Sequence, residues 1–546
     1  MPRELVTVQV GQCGNQIGWR FWDLALREHA AASPDGVFDE AMSAFFRNVD
    51  ERYSVPRDVE SFVDGSGASV SKVASLRARA VLVDMEEGVV SQVLSGPLRD
   101  LFDESQVITD VSGSGNNWAH GFCEYGPQYG DAILERVRTA LEACESPQSF
   151  FVLHSMGGGT GSGLGTYILG QLHDAFPELY RFVSPVFPSE DDDVVTSPYN
   201  TALALAQLSE HADCVMPVEN GALSSIVDRA ATLAGRSGAS SRAAPGAASA
   251  QAAAAERKGA FDSMNELAAR MLTGLTAGMR FPGPLNVDLN EITTNLVPFS
   301  GMQFLVPSLS PAVTMAAAGI RRAQGRGGRG RAPTVGSRLL PGEPRSADAL
   351  FSDAVDPSNA LLAVDTPAHT YLACGLLARG DVLVSDVQRN IERLRSTMQL
   401  AWFNPDGFKT GICSEPPLDA TRSVLALSNN CGIANTFRRM RGSFARLYTA
   451  RAHLHHYTDM MGEDGASGGA SGFFGGAEET FSRLIDDYEH MDASHTPPDD
   501  WAAGGDQAVL AAIGLAGGRS GDPAPGPRAV AGGAAAARAP LGRRGV

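Results

Sequence analysis

The stretch His154-Ser155-Met156-Gly157-Gly158-Gly159-Thr160-Gly161-Ser162-Gly163 places five glycines in seven residues, directly behind the apolar run SFFVL at 149–153. Glycines reach positive φ and let backbone N–H groups approach an anion without a Cβ in the way. The residues that follow, GSGLGTYILGQLHDAF, open a helix whose N-terminus carries about half a positive charge. A phosphate is the natural guest, with Gly159 at the closest approach, where a Cβ would push into it. The register contains neither GxxxxGK[ST] nor GxGxxG, so the loop has no phosphate-binding lysine of the Walker kind.

Around this loop, apolar runs bounded by turn residues alternate with longer amphipathic stretches. LVTVQV (5–10), AVLVDM (80–85), SFFVLHS (149–155), YRFVSPVF (180–187) and DCVMPV (213–218) read as buried parallel strands. Helices such as NQIGWRFWDLALREHA lie between them. The fold class is therefore α/β, with a doubly wound, Rossmann-like domain whose ligands sit outside the carboxyl ends of the strands.

Without a lysine, a di- or triphosphate must be neutralised by backbone amides, the helix dipole and a metal ion, for which Mg²⁺ is the expected choice. AVLVDMEEG supplies Asp84, Glu86 and Glu87 at a strand end, and Glu86 is taken as the ligand. Gly11-Gln12-Cys13-Gly14-Asn15-Gln16 is a second glycine turn at the end of the first strand, with amides able to reach phosphate oxygens or base edges. The acids of PSEDDD at 188–193 suit ribose hydroxyls. The small polar residues of DVSGSGNNW at 110–118, Asn117 among them, suit a terminal phosphate.

A chain of 546 residues has room for two to four domains. The formal charge of −18 argues against general nucleic-acid binding. No apolar run is long enough to cross a bilayer, and MPRELVTVQV starts as a strand without a signal-peptide pattern, so a cytosolic or nuclear location is expected. Seven scattered cysteines without a CxxC pair read as reduced thiols. Three segments lack any packing period: 234–258, the stretch 320–345 with seven arginines against one glutamate, and 494–546. They are expected to be solvated inserts and a disordered tail, with RNA or acidic-protein binding as the alternative for the arginine-rich stretch. The histidines of HLHHY (His453, His455, His456) are spaced so that a helix cannot turn all three to one side, and His154 beside Ser155 points to the opposite face of a strand, so neither zinc binding nor Ser–His catalysis is expected.

GQCGNQIG at 11–18, GGGTGSG at 157–163, SPYN at 197–200, LNVDLNEITTNLVPF at 285–299 and RAHLHHYTD at 451–459 together resemble the tubulin family over most of residues 1–493. FFRNVD, DMEEGVV, SGSGNNW and RNIERL are most similar to its epsilon class, which is associated with centrioles and basal bodies. The resemblance implies GTP or GDP as the guest, with Mg²⁺ on Glu86. Gln12 and Cys13 would flank the phosphates, and Ser155, Gly157, Gly158, Gly159, Thr160, Gly161, Ser162 and Gly163 would belong to the cradle, with Asn117 nearby. Gln16, Asn220 and Asn265 would contact guanine or ribose, and Phe261 would stack on the base. Glu291 would act in trans, orienting the water that attacks the GTP of a neighbouring subunit, with Asp288 one turn earlier on the same face.

The resemblance also implies the domain plan: a GTP-binding domain at 1–279, a second α/β intermediate domain with a mixed sheet at 280–415, C-terminal helices at 416–493 and the tail at 494–546. Other tubulins (delta-, alpha- or beta-type) and centriolar proteins would be the partners, with no membrane or nucleic acid, in the cytoplasmic cytoskeleton at the centriole, basal body or centrosome. Two departures stand out: an insert where lateral contacts are made in the family, and a tail with four Asp and five Arg in place of an acidic one. Two other readings remain open, a GTP-binding adaptor that does not polymerise and a nicotinamide-dependent enzyme.

Overall fold

The first strand, β1 (Glu4–Val10), is buried at every position, as a parallel strand covered by helices on both faces must be. The computed structural model describes residues 3–33, 40–50, 57–58, 75–189, 192, 194–233, 250–323, 346–462 and 469–493. In it, β1 pairs in parallel with β2 (Ala80–Asp84), which pairs with β3 (Val107–Thr109). On the other side, β1 pairs with β4 (Pro147–Ser155) and β4 with β5 (Tyr180–Phe187), which carries β6 (Cys214–Val215) and β7 (Val218–Glu219). The sheet order β7–β5–β4–β1–β2–β3 means that the chain winds outward first to one side and then to the other. The reversal falls between β1 and β4, where the loops part and open a crevice.

The expected strand at 213–218 is broken in two. Pro217 has no N–H to give the ladder, so β6 ends before it and β7 starts after it, although Met216 N still donates to Val183 O at 2.8 Å. The three-residue edge strand β3 was too short to be read from pattern.

A second sheet is mixed, as expected. Its strands are β8 (Val306–Ser310), β9 (Tyr371–Gly380), β10 (Phe408–Cys413) and β11 (Arg422–Asn430), in the order β8–β11–β9–β10, and only β9 and β10 run parallel. Strand β11 lies beyond the expected boundary at 415 and is central to this sheet, so the helical region begins only at Ile433.

The helices that matter for the site are α1 (Gly11–Ala32), α2 (Glu87–Ser95), α3 (Gly165–Ala175), α4 (Ser197–His211), α5 (Asn220–Leu233), α6 (Ala250–Leu275) and α7 (Leu289–Leu296). Three more follow the second sheet: α8 (Ile433–Thr449), α9 (His455–Met461) and α10 (Gly469–Ala493). Helix α6 packs on α1 and on strands of the second sheet, while α8 and α10 cover α4. The start of α6 corrects one expectation. Residues 250–258 of the alanine-rich insert are helical, because alanine has the highest intrinsic helix propensity even where no packing period is visible. The remainder of that insert (234–249), the Arg/Gly segment beyond residue 323 and the tail at 494–546 lie outside the described residues. Among the described residues no helix is long and apolar enough to cross a membrane.

The two sheets are joined by a buried charge cluster. Glu28 of α1 accepts from Arg280 Nη2 at 2.7 Å and from Arg379 Nη1 of β9 at 2.9 Å, and all three side chains are almost wholly buried. Burial pushes the Glu28 carboxyl up, but the Arg379 and Arg280 guanidiniums outweigh it and hold it below its usual range. At the end of β4, His154 is buried under Gly165 and burial lowers its pKa to about 4, so it is neutral in the folded chain.

Both groups give tests of stability. Glu28→Gln leaves two buried guanidiniums without a counter-charge and should cost about 3–5 kcal/mol in urea unfolding; a loss below about 1 kcal/mol would mean the cluster is not what joins the sheets. The depressed pKa of His154 means the unfolded chain binds the extra proton. Its contribution is therefore complete above about 6.5 and is lost as pH falls towards about 4. Comparing parent with His154→Gln by urea unfolding across that window should show a difference on the order of 3 kcal/mol in pH-dependent stability; identical profiles would contradict it.

Candidate functional site

Loops leaving the carboxyl ends of β1, β2, β4 and β5 enclose a cavity of about 810 Å³ at the β1/β4 crossover, the place where open α/β sheets hold ligands. Gln12, Cys13 and Gln16 enter it from the first turns of α1. Asp84 and Glu86 come from the end of β2, and Ser155 with Gly157 to Gly161 from the end of β4. Asp192 follows β5, Asn220 opens α5, and Phe261 and Asn265 project from α6. Residues separated by up to 253 positions in sequence thus meet around one hollow. Three expected residues lie off its wall: Asn117 donates from Nδ2 to His456 O at 2.9 Å, Ser162 turns its hydroxyl back to Gly158 O, and Gly163 packs beneath Trp118 O.

The glycines serve packing as well. Gly159 lines the cavity, and a Cβ on it would also meet the facing loop. It would meet Ser114 Oγ at 2.4 Å and Asn117 N at 2.5 Å, so the glycine lets the β4 loop close against the loop at 112–118. Gly11, at φ +72°, brings the end of β1 against Gly161 N in the same way. Ser114 Oγ and Thr160 Oγ1 then lie 2.9 Å apart. Behind this contact the chain takes one wide π-helical turn, Thr160–Leu164, before α3 begins.

The electrostatics of the wall are one-sided. Among the described residues no Lys or Arg lines the cavity, whereas Asp84, Glu86, Asp192 and Asp262 do. Burial raises the Asp84 carboxyl to about 6, and its Oδ2 is buried with no hydrogen-bond partner among the described residues. Glu86 stands at the rim, its carboxylate against Gly113. Among the described residues no group of three or more His, Cys, Asp or Glu could hold a metal by itself. An orphaned carboxylate oxygen beside a second carboxylate fits Mg²⁺, which keeps several waters and completes its shell with ligand phosphates. Cys13 is not a nucleophile here, since burial first and then the Asp192 charge push its thiol up to about 12.

At the far end of the cavity, Asn265 Nδ2 donates to Gln16 Oε1 at 3.3 Å, and Asn220 Nδ2 to Asp192 Oδ1 at 3.4 Å. Phe261 keeps half of its surface exposed against this wall, which an aromatic ring does only with something to cover it or with a cost in apolar exposure. Of the acids at 188–193, Asp192 reaches the wall and binds Ser189 N at 3.2 Å, while Glu190, Asp191 and Asp193 lie outside the described residues. Val89 and Gln92 of α2 also line the cavity and were not read from the sequence, because a helix face behind a strand end carries no motif.

Glu291 lies elsewhere. Its helix α7 is capped by Asp288, whose Oδ1 accepts from Glu291 N at 2.7 Å and whose Oδ2 pairs with Arg3 at 2.8 Å. Asp288 is therefore a cap rather than a second acid on the same face. Arg3 precedes β1, so α7 sits at the amino end of the sheet, with seven residues of strand, about 23 Å, between it and the cavity end. Glu291 is partly exposed and takes Lys409 Nζ at 2.5 Å. At the cavity end, His453, His455 and His456 are exposed; His453 stands at φ +56° before α9 begins, so the three do not share a helix.

Comparison with known proteins agrees with this architecture. Residues 4–228 match the Tubulin/FtsZ family GTPase domain and residues 330–442 the tubulin C-terminal domain. The chain is 46% identical to the human tubulin epsilon chain, over 90% of this chain and 97% of that one, and equally to the mouse epsilon chain. It is 32% identical to the tubulin alpha-1 chain of Schizosaccharomyces pombe, over 90% of this chain and 96% of the relative. The match to the GTPase domain implies binding of GTP or GDP. With both domains matched in order and close similarity running along nine tenths of its length, the chain belongs to the tubulin family.

Proposed function

We propose that this chain is a GTP-binding structural subunit of a microtubule-like assembly at the centriole or basal body, of the epsilon kind. The observation that carries the nucleotide part is the cavity at the β1/β4 crossover: it has backbone amides, carboxylates and an exposed ring on its wall, and no basic side chain among the described residues. Phosphates would be held by the Gly157–Gly161 backbone and the turn at Gln12 and Cys13. Mg²⁺ would be held by Glu86 and Asp84 and would offset the phosphate charge. Phe261 would cover the base, with Gln16, Asn220 and Asn265 as its polar contacts, and Asp192 is placed for the ribose. The similarity to epsilon chains supports a cytoskeletal role, and other tubulins are the partners that family membership supports.

Glu291 is the residue proposed for hydrolysis. It stands at the amino end of β1 while the cavity stands at the carboxyl end, which supports action on a neighbour's nucleotide rather than its own. In a head-to-tail pair it would face the next cavity, where a carboxylate can orient the attacking water. The isolated chain should therefore retain GTP and turn it over slowly, and assembly should accelerate phosphate release. Glu291→Ala should lower the assembly-linked rate by roughly 10²–10⁴-fold with nucleotide affinity nearly unchanged. Mixing mutant into parent whose GTP alone is labelled separates the two geometries: release per parent molecule that falls with mutant fraction marks action in trans, and release per parent molecule that stays constant marks action in cis. A rate that never rises with assembly would leave a GTP-binding adaptor that does not polymerise.

A further inference from the structure

Asn200, in the second turn of α4, is fully buried, lines no part of the cavity and uses all of its hydrogen-bonding capacity. Its Nδ2 donates to Gly157 O at 2.8 Å, on the glycine loop, and to Asn116 O at 2.8 Å, on the facing loop. Its Oδ1 accepts from Trp118 N at 2.9 Å and from the Tyr457 hydroxyl of α9 at 2.6 Å. One amide therefore fixes both loops that meet across the proposed phosphate position, and a single hydroxyl ties that amide to the C-terminal helices.

A second contact runs in parallel. Trp118 stacks on Phe122 at 4.3 Å, and Phe473 of α10 meets both rings edge-on, at 5.7 and 6.1 Å. Asn117 Nδ2 holds His456 O at 2.9 Å. The stretch 116–118 thus touches α9 and α10 on one side. On the other it presents Asn116, held at φ +54°, to the cavity.

We infer that Asn200 and Tyr457 are positioning residues for the terminal phosphate, and that through them the docking of α9 and α10 sets how strongly the cavity distinguishes a nucleoside triphosphate from a diphosphate. The inference rests on the reading of the cavity as a guanine-nucleotide site. Neither residue touches the ligand. They hold Gly157 and the loop at 112–118 at one separation, which a third phosphate needs and a diphosphate does not. By thermodynamic reciprocity, occupation by the triphosphate tightens α9 in turn.

The test uses the full chain and two variants, Tyr457→Phe, which removes one hydroxyl from a site otherwise kept full, and Phe473→Leu, which removes the aromatic contact. Dissociation constants for GTP and GDP are measured with Mg²⁺ present, together with thermal stability. The ratio of the two constants should fall roughly threefold to tenfold in Tyr457→Phe, the worth of one hydrogen bond, and in the same direction in Phe473→Leu, with GDP affinity within about twofold of parent. Hydrogen exchange at 455–461 should be slower with GTP bound than with GDP in the parent, and equal in Tyr457→Phe. A merely structural role would weaken both nucleotides together, in step with lost thermal stability, and that result overturns the inference, as does an unchanged ratio. A parent chain that binds neither guanine nucleotide removes the reading of the cavity and this inference with it, whereas a parent that binds and discriminates while both variants match it removes the inference alone.

Discussion

The site depends on how closely three stretches of backbone can approach one another at the β1/β4 crossover. Gly11 against Gly161, and Gly159 against Ser114 and Asn117, are contacts in which a Cβ would sit 2.4–3.0 Å from its neighbour. The loops can close only where no side chain intervenes, and their closure leaves amides and carboxylates, not a basic group, around the hollow. A wall without Lys or Arg among the described residues cannot attract phosphate by charge. In the proposed nucleotide complex, pre-set N–H groups, the helix end beyond Leu164 and a cation would do so instead.

That closure is held from outside by two buried polar devices. The Glu28 cluster fixes α1, and with it Gln12, Cys13 and Gln16, to the second sheet through Arg379. Asn200 fixes the glycine loop and the loop at 112–118 to each other and to α9. Both put unscreened polar groups in a low-dielectric interior, where each partner is costly to lose. The second sheet and α7 meanwhile carry Glu291 to the opposite end of β1, so a single chain presents its cavity at one end and its candidate activating carboxylate at the other. Under the proposed function, head-to-tail association would use both.

Much of this was legible in the sequence because local rules decided it. Continuous apolar runs marked β1, β2, β4 and β5, and glycine turns marked the strand ends that face the cavity. Where a local rule was overridden, the reading slipped. Pro217 split a strand whose apolar run looked continuous, and the alanine-rich stretch at 250–258 became helix without a packing period. Asp288 looked like one of two acids on a helix face and is the cap of that helix. The packing of Gly159 against Ser114 and Asn117 was not legible, since those neighbours come from a loop more than forty residues away. Asn200 lay within a recognised motif, yet nothing local says that its amide will meet Gly157, Asn116, Trp118 and Tyr457. Long-range convergence of that kind is fixed only by the topology of the sheet.

On the proposed function, the crossover cavity holds a guanine nucleotide with a divalent cation. The most direct measurement is to denature the purified full chain, separate any released nucleotide by anion exchange, and measure magnesium in the same sample. GTP or GDP is expected near one per chain, with magnesium in comparable amount, and both should be lost when the cation is stripped by a chelator before purification is complete. A nicotinamide dinucleotide in the released fraction, or a chain that is folded, free of nucleotide and unable to take up GTP when it is supplied with Mg²⁺, would contradict it.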